Sequence, residues 1–212
     1  MAVDSFAQSE RSSLSELLLD VGPQAPTLCA GWTTRDLAAH LILRESRPDA
    51  ALGILGGPLA AHTARVQESI ATRDWVDLVN TLRNGPPRWS PQSIGRLDAE
   101  SNTVEYFVHH EDVRRAINDW QPRELTPTDV AALWPRITRL GKLLLRRCSV
   151  GVVVEPTDGP AAGTRVTLKQ GDGVTLHGPV GEITLALFGR VTRGLEVVGS
   201  DADRNTFLTF PR

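Results

Sequence analysis

The chain reads as an α+β protein in which helices come first and a small mixed unit follows. Three observations carry this reading. Apolar residues recur at helical spacing through the first two thirds of the chain. From Cys148 onward the period shortens to strand-like runs broken by glycine turns. The clearest break in composition, Trp120-Gln-Pro122-Arg-Glu-Leu-Thr-Pro127, lies before one last long helix. The expected division is a helical domain over 1–147 and a small α+β domain over 148–212.

Each element has a local reason. Phe6, Leu14, Leu17 and Leu18 make an amphipathic helix over about 4–20, ended by Gly22-Pro23 and Pro26. Thr33-Thr34-Arg35-Asp36 is a helix start, with Thr33 as N-cap, an acid three residues on and Trp32 as a hydrophobic staple. That helix runs from Thr34 to about Arg47, because Pro48 keeps its predecessor out of the α region. Gly53 to Pro58 is a glycine-rich break that lacks the lysine and preceding strand of a phosphate loop. Helices over Leu59–Ile70 and Trp75–Leu82 follow, then a rigid loop at Gly85–Pro91. The next helix starts near Asp98 or Ser101 and runs to about Asn118. Thr126-Pro127 caps a stretch from Asp129 to Arg147, kinked or split by Pro135. Strands are expected over Val150–Glu155, Arg165–Lys169, Val174–His177 and Leu195–Val198, with a turn at Gly171-Asp172-Gly173. Helices are expected over Gly181–Phe188 and Asp201–Leu208.

Composition narrows the function classes. The chain has 212 residues, of which 41% are hydrophobic, enough to bury a sizeable core. A formal net charge of −2 gives no nucleic-acid footprint and no polybasic membrane contact. No apolar run approaches the roughly 20 residues of a membrane span. Met1 to Arg11 is polar and lacks a signal-peptide core. Cys29 and Cys148 form neither a CxxC pair nor a disulfide framework. The expectation is a cytoplasmic protein with reduced thiols, acting on small molecules. Both cysteines read as small buried residues, Cys29 without a nearby acid or base. The sequence leaves the oligomeric state open.

The chemistry concentrates in Glu105-Tyr-Phe-Val-His109-His110-Glu111-Asp112. On a helix, Glu105 and His109 are four residues apart and share one face, where both can grip one cation. Asp112 continues that face and can accept from His109, fixing its tautomer. His110 competes as ligand but points about 100° away. A third ligand must come from elsewhere, and His40 in Asp36-Leu-Ala-Ala-His40-Leu41 is the candidate. A set of His, Glu and His suits zinc or another first-row divalent ion. Plainer readings stand beside it: His40 as a core-edge histidine satisfied by Asp36, and Glu105-x-x-x-His109 as a solvated face. His62 has no motif partner.

Gly31-Trp32-Thr33-x-x-Asp36-Leu37-x-x-His40-Leu41, followed by Glu105-x-x-x-His109-His110-x-Asp112, resembles the mycothiol-dependent maleylpyruvate isomerase family. Thr157-Asp158-Gly159-Pro160 and Leu185-x-Leu-x-Gly189-Arg190 resemble that family's small C-terminal domain. Val108 to Ala116 and Arg44-Glu45-x-Arg47-Pro48-Asp49 look most like a metal-binding subfamily set apart from the isomerases proper. The resemblance implies an N-terminal DinB-like four-helix bundle with His40, Glu105 and His109 as ligands of a divalent metal, zinc first. Asp112 then falls at an acidic position beside the site, and Arg190 where the C-terminal domain offers an arginine to the substrate. Mycothiol is the implied cosubstrate.

Two functional readings follow. One is a thiol transferase or isomerase, in which the metal holds a low-molecular-weight thiol as thiolate against a small electrophile. Arg190, or Arg44 beside His40, would hold a substrate carboxylate. For Arg190 a helix C-terminal cation reading is equally open. The alternative is a metal-binding protein or sensor without chemistry.

Overall fold

The computed structural model describes residues 5–54, 56–86 and 95–211, with side chains in the last stretch described from 102. The part of the expected Gly85–Pro91 loop from Pro87 on lies outside the described residues. The chain divides into two compact units, Met1–Trp120 and Gln121–Arg212.

The first unit is helical. It contains α1 (Phe6–Val21), α2 (Thr34–Ser46), the short α3 (Pro48–Ala51), α4 (Ala60–Ala71), α5 (Trp75–Asn84) and α6 (Gly95–Arg114). Side-chain chemistry sets their starts. Ser5 and Gln8 form a capping box at α1, and the Asp74 carboxylate accepts from Val76 and Asp77 N–H at α5. At α2 the Asp36 carboxylate accepts from Thr33 N at 2.9 Å and from its hydroxyl at 2.7 Å. α2 stops at Ser46, as Pro48 requires. Leu14 and Leu18, Leu37 and Leu41, Val66 and Ile70, Leu78 and Leu82, with Tyr106 and Val113, close one core. Each fully buried aliphatic side chain contributes about 1.5–3 kcal/mol.

α6 departs from ordinary amphipathicity. From Asn102 on, it buries Asn102, Thr103, His109, His110, Glu111 and Asp112 beside Tyr106 and Phe107. Burying such groups is unfavourable unless each finds a partner. His110 Nδ1 lies 3.0 Å from Glu10 Oε2, and Glu111 Oε2 accepts from Arg115 Nε at 2.5 Å. Glu45 Oε1 on α2 accepts from Arg11 at 2.6 Å, Tyr106 at 2.8 Å and Asn102 at 2.8 Å.

The second unit joins α7 (Pro127–Leu144), a 3₁₀ turn (Leu145–Arg147), β1 (Gly151–Pro156), β2 (Val166–Lys169), β3 (Gly173–Gly178), α8 (Val180–Leu187), β4 (Glu196–Val198) and α9 (Asp201–Thr209). The sheet order is β2-β1-β3-β4, with β1 and β3 parallel and both edge pairs antiparallel. The fold class is therefore the expected α+β, and the predicted strands match within two residues. Two features differ. Pro135 sits inside a continuous α7 and does not split it. The compact units part at the proline-rich stretch after Trp120, so the last long helix is not in the helical unit, where a division at 147/148 places it. The reason is packing: α7 contacts α8 and β2, and a Cβ on Gly141 would lie 2.9 Å from Leu168 Cδ1 and 3.3 Å from Leu187 Cδ1.

Candidate metal centre

Two helices of the first unit supply the centre. From Leu37 to Leu43 every residue of α2 is buried, His40 at 6% exposure, so His40 is held inside the unit and not on the edge of a stripe. Its neighbours fix it. The Trp32 ring centroid lies 4.9 Å from that of His40, so Trp32 packs on a ligand candidate as well as on the core. The Gln67 side chain reaches Asp36 O from its Nε2 at 3.5 Å and lines the same cleft as His40. On α6, Glu105 Oε2 and His109 Nε2 are 3.5 Å apart, as residues i and i+4 on one face. The two imidazoles meet edge to face, with centroids 5.5 Å apart at 74°.

His40, Glu105 and His109 each present one ligand atom, and the three atoms lie within 4.8 Å of one another. Metal–ligand bonds of about 2.0–2.2 Å at tetrahedral angles put ligand atoms roughly 3.4 Å apart. The Glu105–His109 edge already has that length. The donor set fits a divalent ion with three protein ligands.

Behind His109, Asp112 Oδ2 lies 3.0 Å from Nδ1, leaving Nε2 toward Glu105. Asp112 is fully buried. On the other side of Glu105, the Arg44 guanidinium sits 3.6 Å from Oε1 and also donates to Asn102 Oδ1. Asn102 in turn donates to Glu45, so a chain of polar contacts runs from the centre to the buried Arg11–Glu45 pair.

Electrostatics separate the two histidines. Burial, helped by the His109 charge, pushes His40 down from 6.5 to about 4, so it is neutral. Burial would push His109 down too, but Asp112, Cys29 and Glu105 outweigh it and hold His109 well above the usual histidine value. Burial raises the Glu105 carboxyl, yet the His109 hydrogen bond and the Arg44 charge prevail and bring it to about 2. Without metal, the protonated His109 ring sits between two carboxylates, with the Nδ1 hydrogen facing Asp112 and the Nε2 hydrogen facing Glu105. A divalent cation held with Glu105 would take the place of the Nε2 hydrogen.

His110 faces Glu10 on α1, away from this cluster. His62 pairs with Asp49 at 2.9 Å, a carboxylate shared with Arg47. Arg190 lies in the second unit, just past α8. Its Nη1 donates to Phe188 O at 2.8 Å, and it lines a cavity of about 370 Å³ with Ala186, Val191 and Leu208. Cys29 corrects its reading. It has both an acid and an imidazole beside it, with Sγ 3.2 Å from Asp112 Oδ2 and 3.8 Å from His109 Nδ1. Nothing in the spacing announces this, because 83 residues separate Cys29 from Asp112. Gln67 also escaped the motif reading, since it lies on a third helix. It lines a cleft of about 400 Å³ with His40, Trp32 and Thr63.

Fold and site together define an α+β chain whose helical unit gathers two histidines and a glutamate from two facing helices. The fold, apart from the site, has solved counterparts. The structure is similar to the mycothiol-dependent maleylpyruvate isomerase, with a TM-score of 0.58 and 18% identity over 93% of this chain and 91% of that one. A histidine-to-alanine mutant of that isomerase matches with a TM-score of 0.55 and 17% identity, covering 93% and 92%. What is shared at this identity is the fold. No family model matches the sequence, and no curated protein matches it.

Proposed function

We propose that this chain is a divalent-metal-dependent thiol enzyme, a transferase or isomerase that uses a mycothiol-type low-molecular-weight thiol. The observation that carries the reading is the convergence of His40, Glu105 and His109 in a chain with the isomerase's fold. Three protein ligands leave positions open to an exogenous thiol, the pattern of catalytic sites. A bound ion, zinc in the first instance, would supply Lewis acidity that keeps the thiol deprotonated at neutral pH.

The chain's own residues have separable roles in this reading. His40 enters neutral and ready to bind, because burial disfavours its charged form. Asp112 orients His109 by accepting a hydrogen bond from its Nδ1–H. Arg44 steadies the Glu105 carboxylate, and its contacts with Glu105 and Asn102 favour this role over a substrate clamp. Arg190 is the candidate for a substrate carboxylate, which an arginine can hold by two parallel hydrogen bonds. Its contact with Phe188 O also suits a helix-terminal cation.

The test is the metal content of freshly purified protein, wild type beside His40→Ala, Glu105→Ala and His109→Ala. About one ion per chain in the wild type and a loss in each variant is the expected result. Metal neither present in the wild type nor taken up on titration would sink the proposal. Metal lost from His110→Ala but kept in His109→Ala would move the site to the other face of α6. A purely metal-binding protein would hold the ion yet leave its spectrum unchanged when a thiol is added to the cobalt form.

A further inference from the structure

His109 is used from both edges. Nε2 faces Glu105, while Nδ1 faces a second group built from Cys29 Sγ and Asp112 Oδ2. The three donor atoms of that group are 3.2, 3.8 and 3.0 Å apart for Sγ–Oδ2, Sγ–Nδ1 and Nδ1–Oδ2. A tetrahedral ion with one thiolate, one imidazole and one carboxylate ligand needs edges of roughly 3.4–3.6 Å. Every observed distance is within a few tenths of an ångström of that. The cysteine loop is also pinned in place. Leu28 N donates to Asp112 O at 3.0 Å, Thr27 Oγ1 accepts from Cys29 N at 3.2 Å, and Trp32 N donates to Cys29 O at 3.0 Å. Cys29 is partly exposed, whereas Asp112 is fully buried.

From this geometry we infer that Cys29, His109 and Asp112 form a second metal site, selective for thiophilic ions such as cadmium, cobalt or excess zinc. A soft thiolate donor distinguishes it from the nitrogen and oxygen set of His40, Glu105 and His109. Binding releases the Cys29 thiol proton and the proton on His109 Nδ1 to solvent, while Asp112 enters as carboxylate. The ring then keeps its remaining hydrogen on Nε2, which removes that nitrogen as a ligand for the first site. The two sites therefore compete for one imidazole, and a thiophilic ion acts as an antagonist of the metal proposed above. The second site stands on its own geometry; only the antagonism rests on the proposed function.

Titration of the metal-free protein with Co²⁺ tests the site. The wild type and Cys148→Ser should develop the near-ultraviolet thiolate-to-cobalt charge-transfer band, and Cys29→Ser should lose it while keeping its circular dichroism. His40→Ala, or Glu105→Gln if that variant does not fold, should keep the band. No band in the wild type, or a band that survives in Cys29→Ser, overturns the site. A band lost in folded His40→Ala makes Cys29 an extra ligand of the first centre and overturns it as a separate one. Without any variant, Cd²⁺ should slow alkylation of Cys29 by iodoacetamide at least tenfold, and an unchanged rate is the contrary result. One equivalent of Cd²⁺ should displace the resident metal from the wild type but not from Cys29→Ser. Retention of both ions by the wild type refutes the competition alone.

Discussion

His40 and His109 lie 5.5 Å apart between ring centroids and yet are driven in opposite directions by their surroundings. His40 has burial without a carboxylate in contact, whereas His109 touches Glu105 and Asp112. The pH dependence of the metal-free fold follows. His40 falls from 6.5 to about 4, so its contribution to stability is full above pH 6.5 and is lost as the pH drops toward about 4. At about 1.4 kcal/mol per pH unit, that interval corresponds to a loss of about 3 kcal/mol. Glu105, brought down from 4.5 to about 2, adds a further loss below pH 4.5. His109 acts in the other sense: its raised value stabilises the fold below pH 6.5, and that contribution is lost as the pH rises through it. Thermal unfolding in the presence of a chelator should show the acid-side fall in the wild type and a shallower one in His40→Ala. Equal slopes would mean that His40 titrates normally. Asp112→Asn should leave the fold intact and weaken metal affinity about 10–100-fold, the usual effect of removing a carboxylate behind a ligating histidine. Competition with a chromophoric chelator measures it.

Among the elements, α6 is where the sequence pattern and the packing part company. Its inward face carries charges, and these are tolerated because neighbouring helices bring matching partners: Glu10 and Arg11 from α1, Glu45 and Arg44 from α2. The buried Arg11–Glu45 pair also holds Tyr106 and Asn102, both fully buried. Truncating one partner of such a pair strands the other charge, at about 3–5 kcal/mol. Glu45→Ala should therefore lower the unfolding free energy measured by urea titration by that much while Glu16→Ala, on α1 but outside this network, changes it little. The arrangement also makes α6 the keystone for both candidate metal-binding groups. It contributes Glu105, His109 and Asp112 from three successive helical steps, so one helix orientation sets both groups at once.

At the scale of the whole chain, the two units differ in what makes each one cohere. The helical unit closes on its own leucine core. The second unit needs α7, whose Val130, Leu133 and Ile137 are buried and whose Gly141 allows close approach to Leu168 and Leu187. A fragment of residues 121–212 should unfold cooperatively on heating, and a fragment of 148–212 should not. A cooperative transition in the shorter piece would show that α7 is dispensable to the sheet. No helix among the described residues is long and apolar enough to cross a membrane.

Much of this was legible in local pattern. Capping residues, proline stops and the change of period located the helices and strands, because those signals act within a few residues. The i, i+4 spacing of Glu105 and His109 marked a candidate ligand face for the same reason, and the motif around His40 pointed to the helix that the structure sets beside it. Tertiary packing decided the rest. It set Cys29 against Asp112, Gln67 and Trp32 against His40, His110 toward Glu10, and α7 onto the sheet. Each of those contacts joins segments whose meeting depends on how whole helices pack, and no periodicity within either segment encodes it. A cysteine in a loop carries no directional signal until its loop is fastened, here by the bond from Leu28 N to Asp112 O at 3.0 Å.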